Sequence, residues 1–438
     1  MEIKRDKYLF KLIDSKNDGL VKIITGIRRC GKSYLLFELF YKHLLENGVK
    51  NENIIKFAFD NDEDIDKLDN YCNEESTKIY LDKGKRKYIV NSKKFRAYLS
   101  DITNASDNCY ILLDEVQLLQ DFVGTLNALS RHNNFDIYVT GSNSRFLSND
   151  VASEFRARGE QIRINPLSFK EFFDAHKLSF EDAYKEYQFF GGLPYISKIG
   201  NDDKKAEYLK EVFDQLYIKD LLDRYEISSV NSFNKLIDIL SSSIGSYTNP
   251  TNLENVFKSS LKISYHHDTI ANHIQYLKEA FLIKEAVRYD VKGKKYVASN
   301  SKYYFTDLGL RNVRLNFRQQ EPTHIMENII YNELIIRGFN VDVGIVEKRE
   351  LNEKGNGIIK QLEVDFVCNQ NNKRYYIQSA YSINDEDKKN KELRPLLSIK
   401  DNFKKIVIIN DNFKPWIDDN GIYYISLKDF LLDEKSLD

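Results

Sequence analysis

Short apolar runs bounded by polar turns alternate with amphipathic stretches over the first 165 residues. Strands are expected at Val21–Thr25, Ile54–Asp60, Tyr110–Leu113, Ile137–Thr140 and Gln161–Asn165, each rich in β-branched or aromatic side chains. Helical patterns lie between them, notably Lys32–Glu46, which stops at Gly48. Strands alternating with helices predict a parallel sheet with ligands at the carboxyl ends of its strands. From Ser168 to about Leu222 the pattern is helical, interrupted by Gly191-Gly192-Leu193-Pro194. Beyond it, Asp268-Thr269-Ile270 opens a helix with Ile270, Ile274, Leu277 and Phe281 at helical spacing. Lys284–Val297 then reads as a hairpin around Gly293, and residues 321–438 begin with a helix and return to strand text.

Composition narrows this picture. The 438 residues are 42% hydrophobic and 30% charged, with 65 Lys+Arg against 66 Asp+Glu, which fits a folded chain and excludes a disordered or collagen-like one. None of the four cysteines sits at zinc-ligand spacing. The opening MEIKRDKYLFKLIDSKNDG lacks a signal peptide's apolar core, and no apolar run approaches the ~20 residues of a membrane helix. A cytoplasmic protein without membrane contact is therefore expected. The neutral total hides local charge: Lys284 to Arg318 holds nine Lys/Arg against three acids.

Gly26-Ile27-Arg28-Arg29-Cys30-Gly31-Lys32-Ser33 fits the pattern GxxxxGK[ST], after a strand candidate and opening a helix, as that motif requires. Its glycines let backbone N–H groups curl around an anion, and the helix N-terminus adds positive potential. Lys32 would reach the β- and γ-phosphates of ATP, and the Ser33 hydroxyl would ligate Mg²⁺. Gly26, Arg28, Arg29, Cys30, Gly31, Lys32, Ser33 and Tyr34 are the expected nucleotide contacts. Tyr110-Ile111-Leu112-Leu113-Asp114-Glu115 is an apolar run ending in two carboxylates. Asp114 would hold magnesium, and Glu115 would orient and deprotonate an attacking water. A third strand ends in Thr140-Gly141-Ser142-Asn143-Ser144, which reads equally as a γ-phosphate sensor or a plain polar turn.

With these motifs the sequence resembles the AAA-type ATPases, a branch of the P-loop NTPases. More narrowly, it resembles a prokaryotic family whose ATPase module carries a C-terminal domain similar to PD-(D/E)xK nucleases. ITGIRRCGKS, ILLDEVQ, VTGSNS, RARGEQIRINPLSFKEF, GGLP and the late ENIIYNEL, LEVDFV and YYIQ carry the likeness. It implies that Lys32, Ser33, Asp114 and Glu115 are the Walker residues and that Asn143 (or Ser142) is the first sensor. It also implies that Arg158 is an arginine finger reaching a neighbour's ATP site in a homo-oligomer; a surface arginine before a strand is the alternative. The implied fold is α/β: a P-loop NTPase parallel sheet (1–167), a helical lid (168–228), a winged helix (229–318) and an α/β restriction-endonuclease-like domain (319–438).

The basic wing bears Lys284, Arg288, Lys292, Lys294 and Lys295, interleaved with Tyr289, Tyr296, Tyr303 and Tyr304. That pattern suits DNA phosphates, with an unknown protein partner as the other reading. In the tail, Glu327, Asp365 and Gln378 match three nuclease positions, but the expected acid-x-lysine reads Gln378-Ser379-Ala380. Glu363 is expected on the other face of its strand from Asp365, so a degenerate site is the reading. Three functions follow: an oligomeric, DNA-associated ATPase using ATP and Mg²⁺, a nucleotide-dependent signalling or defence switch that binds protein, or an ATP-powered metal-dependent nuclease.

Overall fold

The computed structural model describes residues 3–437 except 73–74, 83–86, 104–106, 142–158, 352–356 and 383–385. It divides into two compact units, 3–165 and 166–438. The first is built on β1 (Val21–Gly26), β2 (Ile54–Ala58), β5 (Cys109–Asp114), β6 (Phe135–Thr140) and β7 (Gly159–Ile164), with a small hairpin of β3 (Lys78–Tyr80) and β4 (Tyr88–Val90) beside them. The five form one sheet in the order β2-β5-β6-β1-β7, and every neighbouring pair is parallel. All five strands fall where the apolar runs predicted them; the β3–β4 hairpin was not foreseen. β1 and β5 are buried along their whole length, as parallel strands covered on both faces must be. β2 stops at Ala58, and Phe59 N then donates to Asp114 O at 3.1 Å, turning Asp60 toward the end of β5.

The helix after β1 runs through Lys32–Tyr34, a π-helical stretch Leu35–Phe40 and Tyr41–Glu46, the extent predicted. It buries Leu35, Leu36, Leu39, Phe40 and Leu44. Lys22, in the middle of β1, is fully buried but paired at 2.6 Å with both Asp18 and Asp136.

The second unit opens with helices whose ends explain two of the sequence motifs. Ser168 of PLSFKEF caps Phe169–Ala175: its hydroxyl accepts from Glu171 N at 3.1 Å, and the Glu171 carboxylate accepts from Ser168 N at 2.9 Å. Gly191 and Gly192 close the helix Phe180–Phe190. A Cβ on Gly191, at φ +75°, would lie 2.3 Å from the Asp307 carboxylate, which itself accepts from Gly192 N at 2.7 Å. Asp307 also accepts from Leu310 N at 3.1 Å, capping the helix Leu308–Arg314.

One mixed sheet follows. Its strands are β8 (Tyr247–Thr248), β9 (Ile283–Asp290), β10 (Lys295–Phe305), β11 (Asn340–Leu351), β12 (Gly357–Gln370), β13 (Lys373–Ala380), β14 (Lys404–Ile409), β15 (Trp416–Ile417) and β16 (Ile422–Ser426), in the order β15-β16-β14-β13-β12-β11-β9-β10-β8. The basic hairpin is β9–β10, preceded by the helix His267–Glu279, which buries Ile270, Ile274 and Leu277. Its strand β9 also pairs in parallel with β11, so the hairpin and the tail share one sheet. β13, β14 and β16 are mutually parallel.

Candidate functional site

The phosphate loop lies between β1 and its helix. Gly26 has φ +149°, and a Cβ there would sit 2.2 Å from Ile164 O, so the loop starts only because this residue has no side chain. Gly31, at φ +95°, is the N-cap residue of the helix. Arg29 is left-handed as well, which curls the loop back on itself. Arg5 braces it by donating to Cys30 O at 3.3 Å and Asn165 O at 2.7 Å. Cys30 is buried with its thiol turned to Ile164 O, so it offers a nucleotide its backbone alone. Arg28 is half-buried, and Arg29 and Tyr34 are exposed. Lys32 folds its ammonium onto Gly26 O at 3.1 Å and Ile27 O at 3.2 Å, so it is held inside the loop that a phosphate would enter.

Because β6 lies between β1 and β5, Thr140 at its end stands beside both Walker strands. Thr140 donates to Asp114, and Ser33 hydrogen-bonds to the same carboxylate. The sequence-predicted magnesium ligands Ser33 and Asp114 are therefore in contact. Burial raises the Asp114 pKa, the bonds from Ser33 and Thr140 offset part of the rise, and the nearby Glu115 adds to it. Glu115 sits at φ +50°, a conformation costly for any residue with a Cβ, and its carboxylate accepts from Gln117. An ammonium, a hydroxyl and carboxylate oxygens in one place suit phosphate and a hard divalent cation. Asn143, Ser142 and Arg158 lie outside the described residues.

Asp60 completes this group and was missed from sequence. Burial raises its pKa, followed by the fields of Asp114 and Glu115, so three carboxyls converge at the ends of β2 and β5. Its one trace in the sequence was an acid closing the apolar run Ile54–Asp60.

The tail gathers its own charged cluster. Glu327, on the helix Pro322–Ile336, accepts from Lys302 at 2.8 Å and from Tyr304 at 2.6 Å. Lys302 also contacts Glu363 at 2.7 Å, and Asp365 accepts from Ser379 N at 2.7 Å. This corrects the expectation for Glu363: residues two apart on a strand share a face, so Glu363 and Asp365 look the same way. Gln378 accepts from Asp365 N at 3.5 Å through its amide oxygen, while its amide nitrogen donates to the Glu392 carboxylate at 3.0 Å. Burial pushes the Asp365 pKa well up, the Glu327 charge adds to this, and Lys302 opposes it. Glu327 is held below its ordinary value: burial is opposed by Lys302, His324 and Tyr304. The carboxyls thus already have donors, chiefly the Lys302 ammonium at the point where they meet. A divalent metal does not fit this arrangement.

The wing is less basic at its surface than along its sequence. Lys284 is 7% exposed and cannot reach a DNA phosphate, and Lys302 and Arg311 are buried too. Tyr303 and Tyr304 are core residues, while Arg288 donates to Gln361 at 2.8 Å. Lys292, Lys294, Lys295 and Tyr296, at the hairpin tip, are exposed. Elsewhere among the described residues, Glu254, His266 and His267 offer ligand atoms within 4.8 Å of one another, a grouping that sequence spacing did not reveal.

Comparison with known proteins agrees with the first unit. Residues 18–173 match a family model described as an AAA domain, and 181–321 match a domain of unknown function (DUF8612). A Methanocaldococcus jannaschii protein described as uncharacterized is 29% identical over 426 residues, 92% of this chain and 82% of that one. Among solved structures, AMPPCP-bound DnaA from Aquifex aeolicus is 16% identical, covers 62% of this chain and 86% of its own, and has a TM-score of 0.29. The Aeropyrum pernix ORC2 protein is 11% identical, covers 74% and 92%, and has a TM-score of 0.26. A Haemophilus influenzae protein described as uncharacterized is 30% identical over 436 residues, 98% of each chain. With the AAA match over 18–173, that end-to-end relationship means that the chain belongs to the family of this Haemophilus protein, with an AAA domain at its N-terminal end.

Proposed function

We propose that the protein is an AAA-type ATPase that binds and hydrolyses ATP with Mg²⁺ in its first unit. The contact of Ser33 with Asp114, beside Lys32 and Glu115, carries this reading. Bound magnesium would supply positive charge to the β- and γ-phosphate oxygens. Ser33 and Asp114 would hold the ion, and Lys32 would leave the loop carbonyls for the phosphates. Glu115, kept in place by Gln117, would orient a water and take its proton. Asn143 would sense the γ-phosphate, and Arg158 would enter a neighbour's site in a homo-oligomer. The helical segment 168–228 would act as lid, with 229–318 as a winged helix and 319–438 as a degenerate nuclease-like domain.

Steady-state phosphate release from the purified full chain tests the reading. Lys32→Ala and Glu115→Gln should each lower turnover by at least about a hundredfold. Turnover unchanged in both variants refutes it.

DNA association is the proposed role of the second unit, resting on Lys292, Lys294, Lys295 and Tyr296 at the hairpin tip. The burial of Lys284, Tyr303 and Tyr304 favours a second reading, a nucleotide-dependent switch that binds a protein. DNA affinity that falls steeply with salt supports the first, and no binding supports the second.

A further inference from the structure

A half-open pocket of about 520 Å³ lies within the second unit, within the size range of small-molecule sites. Phe180, Tyr184 and Gln188 reach it from one face of the helix Phe180–Phe190, at successive helical turns. Tyr381 and Asn410–Asn412 follow the carboxyl ends of the parallel strands β13 and β14, where α/β sheets bind their ligands. Gln320 and Lys428 close the remaining sides.

Two polar atoms of this lining are buried: Gln320 Nε2, with no hydrogen-bond partner, and the Tyr184 hydroxyl, with only the Gln188 amide beside it. Tyr184 is 7% exposed, and its neighbours are aromatic: the Phe180 ring stacks on it at 5.8 Å, 6° from parallel. Burial raises the phenol's pKa, Tyr381 adds to the rise and the Gln188 amide offsets part of it, so the group stays a neutral O–H. A buried polar atom left without a partner costs about 1–3 kcal/mol, so Gln320 Nε2, with the sparsely bonded Tyr184 hydroxyl at the same pocket, points to a ligand that supplies the missing bonds.

The lining limits the ligand's chemistry. Lys185 and Lys428 are matched by Glu181 and Asp411, so the pocket has no net charge to recruit a bare anion. The four carboxamides of Gln188, Gln320, Asn410 and Asn412 each offer a donor and an acceptor, which a hydrocarbon cannot use. Planar rings beside paired donors and acceptors suit a flat heteroaromatic with a hydrogen-bonding edge. We propose that this pocket binds a nucleobase, carried either by a free nucleoside or by a single strand.

The site is separate from the phosphate loop, so the test uses the full chain carrying Lys32→Ala, with that loop disabled. Isothermal titration with the common nucleosides and with short single-stranded oligonucleotides reads binding directly. Tyr184→Phe removes one buried oxygen and keeps the ring, so the fold is retained, which thermal unfolding verifies. Gln320→Leu removes the second polar atom. Each substitution should weaken binding at least fivefold. Binding of nucleosides assigns the free ligand, and binding of oligonucleotides alone assigns the strand. No binding of either at millimolar concentration, or equal affinity in both variants, overturns the proposal.

Discussion

Lys302→Met removes the one ammonium at the centre of the tail's charged cluster. Lys302 is 4% exposed and lies 2.8 Å from Glu327 and 2.7 Å from Glu363. Deleting one member of a buried ion pair typically costs about 3–5 kcal/mol, because the remaining charge is left without compensation. For a unit of this size that is a fall in Tm on the order of 10 °C. The chain's one tryptophan, Trp416, stacks on Tyr424 at 4.2 Å in the same sheet, so its fluorescence follows unfolding of this unit. Adding Glu327→Gln to the variant removes the stranded charge and should restore at least about 2 kcal/mol. Glu327's share of the pH dependence should change sign. In the parent protein Glu327 is held below its ordinary pKa, which contributes stability that is lost as pH falls through the folded value. Without the ammonium, burial raises that pKa, so acidification from pH 7 to 5 should stabilise the variant. A Lys302→Met protein within about 1 kcal/mol of the parent, or one that gains no more stability on acidification than the parent does, would refute the counter-ion role.

Three more tests follow. Gly191→Ala places a Cβ 2.3 Å from the Asp307 carboxylate at φ +75°, and should cost about 3 kcal/mol or more by denaturant unfolding. Burial raises the Asp307 pKa from 3.8 to about 6, partly offset by backbone N–H bonds from Gly192, Leu310 and Gly309. The folded state therefore holds this proton more tightly, and roughly 3 kcal/mol of stability present below pH 3.8 is lost as pH rises through about 6. Asp307→Asn should flatten that part of the stability profile, followed through Trp416. If the hairpin tip contacts DNA, Lys294→Ala with Lys295→Ala should lower the slope of log affinity against log salt by about 2, while an unchanged slope removes the tip from the interface.

The first unit was legible because each strand is an apolar run closed by residues with a chemical reason to be there. Gly26, Lys32, Ser33, Asp114 and Glu115 are all local to two strand ends, so spacing alone predicts their meeting. Asp60 escaped because its relevance depends on β2 being the neighbour of β5, which is a fact of strand order. The tail was harder for the same reason. Lys302 belongs to a stretch whose positive charge looked like surface, yet its strand runs beneath Glu327, 25 residues later. Net charge along a segment does not distinguish an ammonium facing water from one enclosed by carboxylates. The Gly191-Gly192 pair was visible as a break, but its cause, an aspartate 115 residues away, is tertiary.

The pairing of β9 with β11 has a practical consequence. β9 lies between β10 and β11, so a cut near residue 318 would strip one partner from each piece and leave two long strands with bare edges. Such edges recruit other chains, and either fragment should self-associate when expressed alone. Any span of this half that is moved, swapped or crystallised therefore has to keep β9 and β11 together, and a recombination event inside it would have to replace both strands of the seam at once.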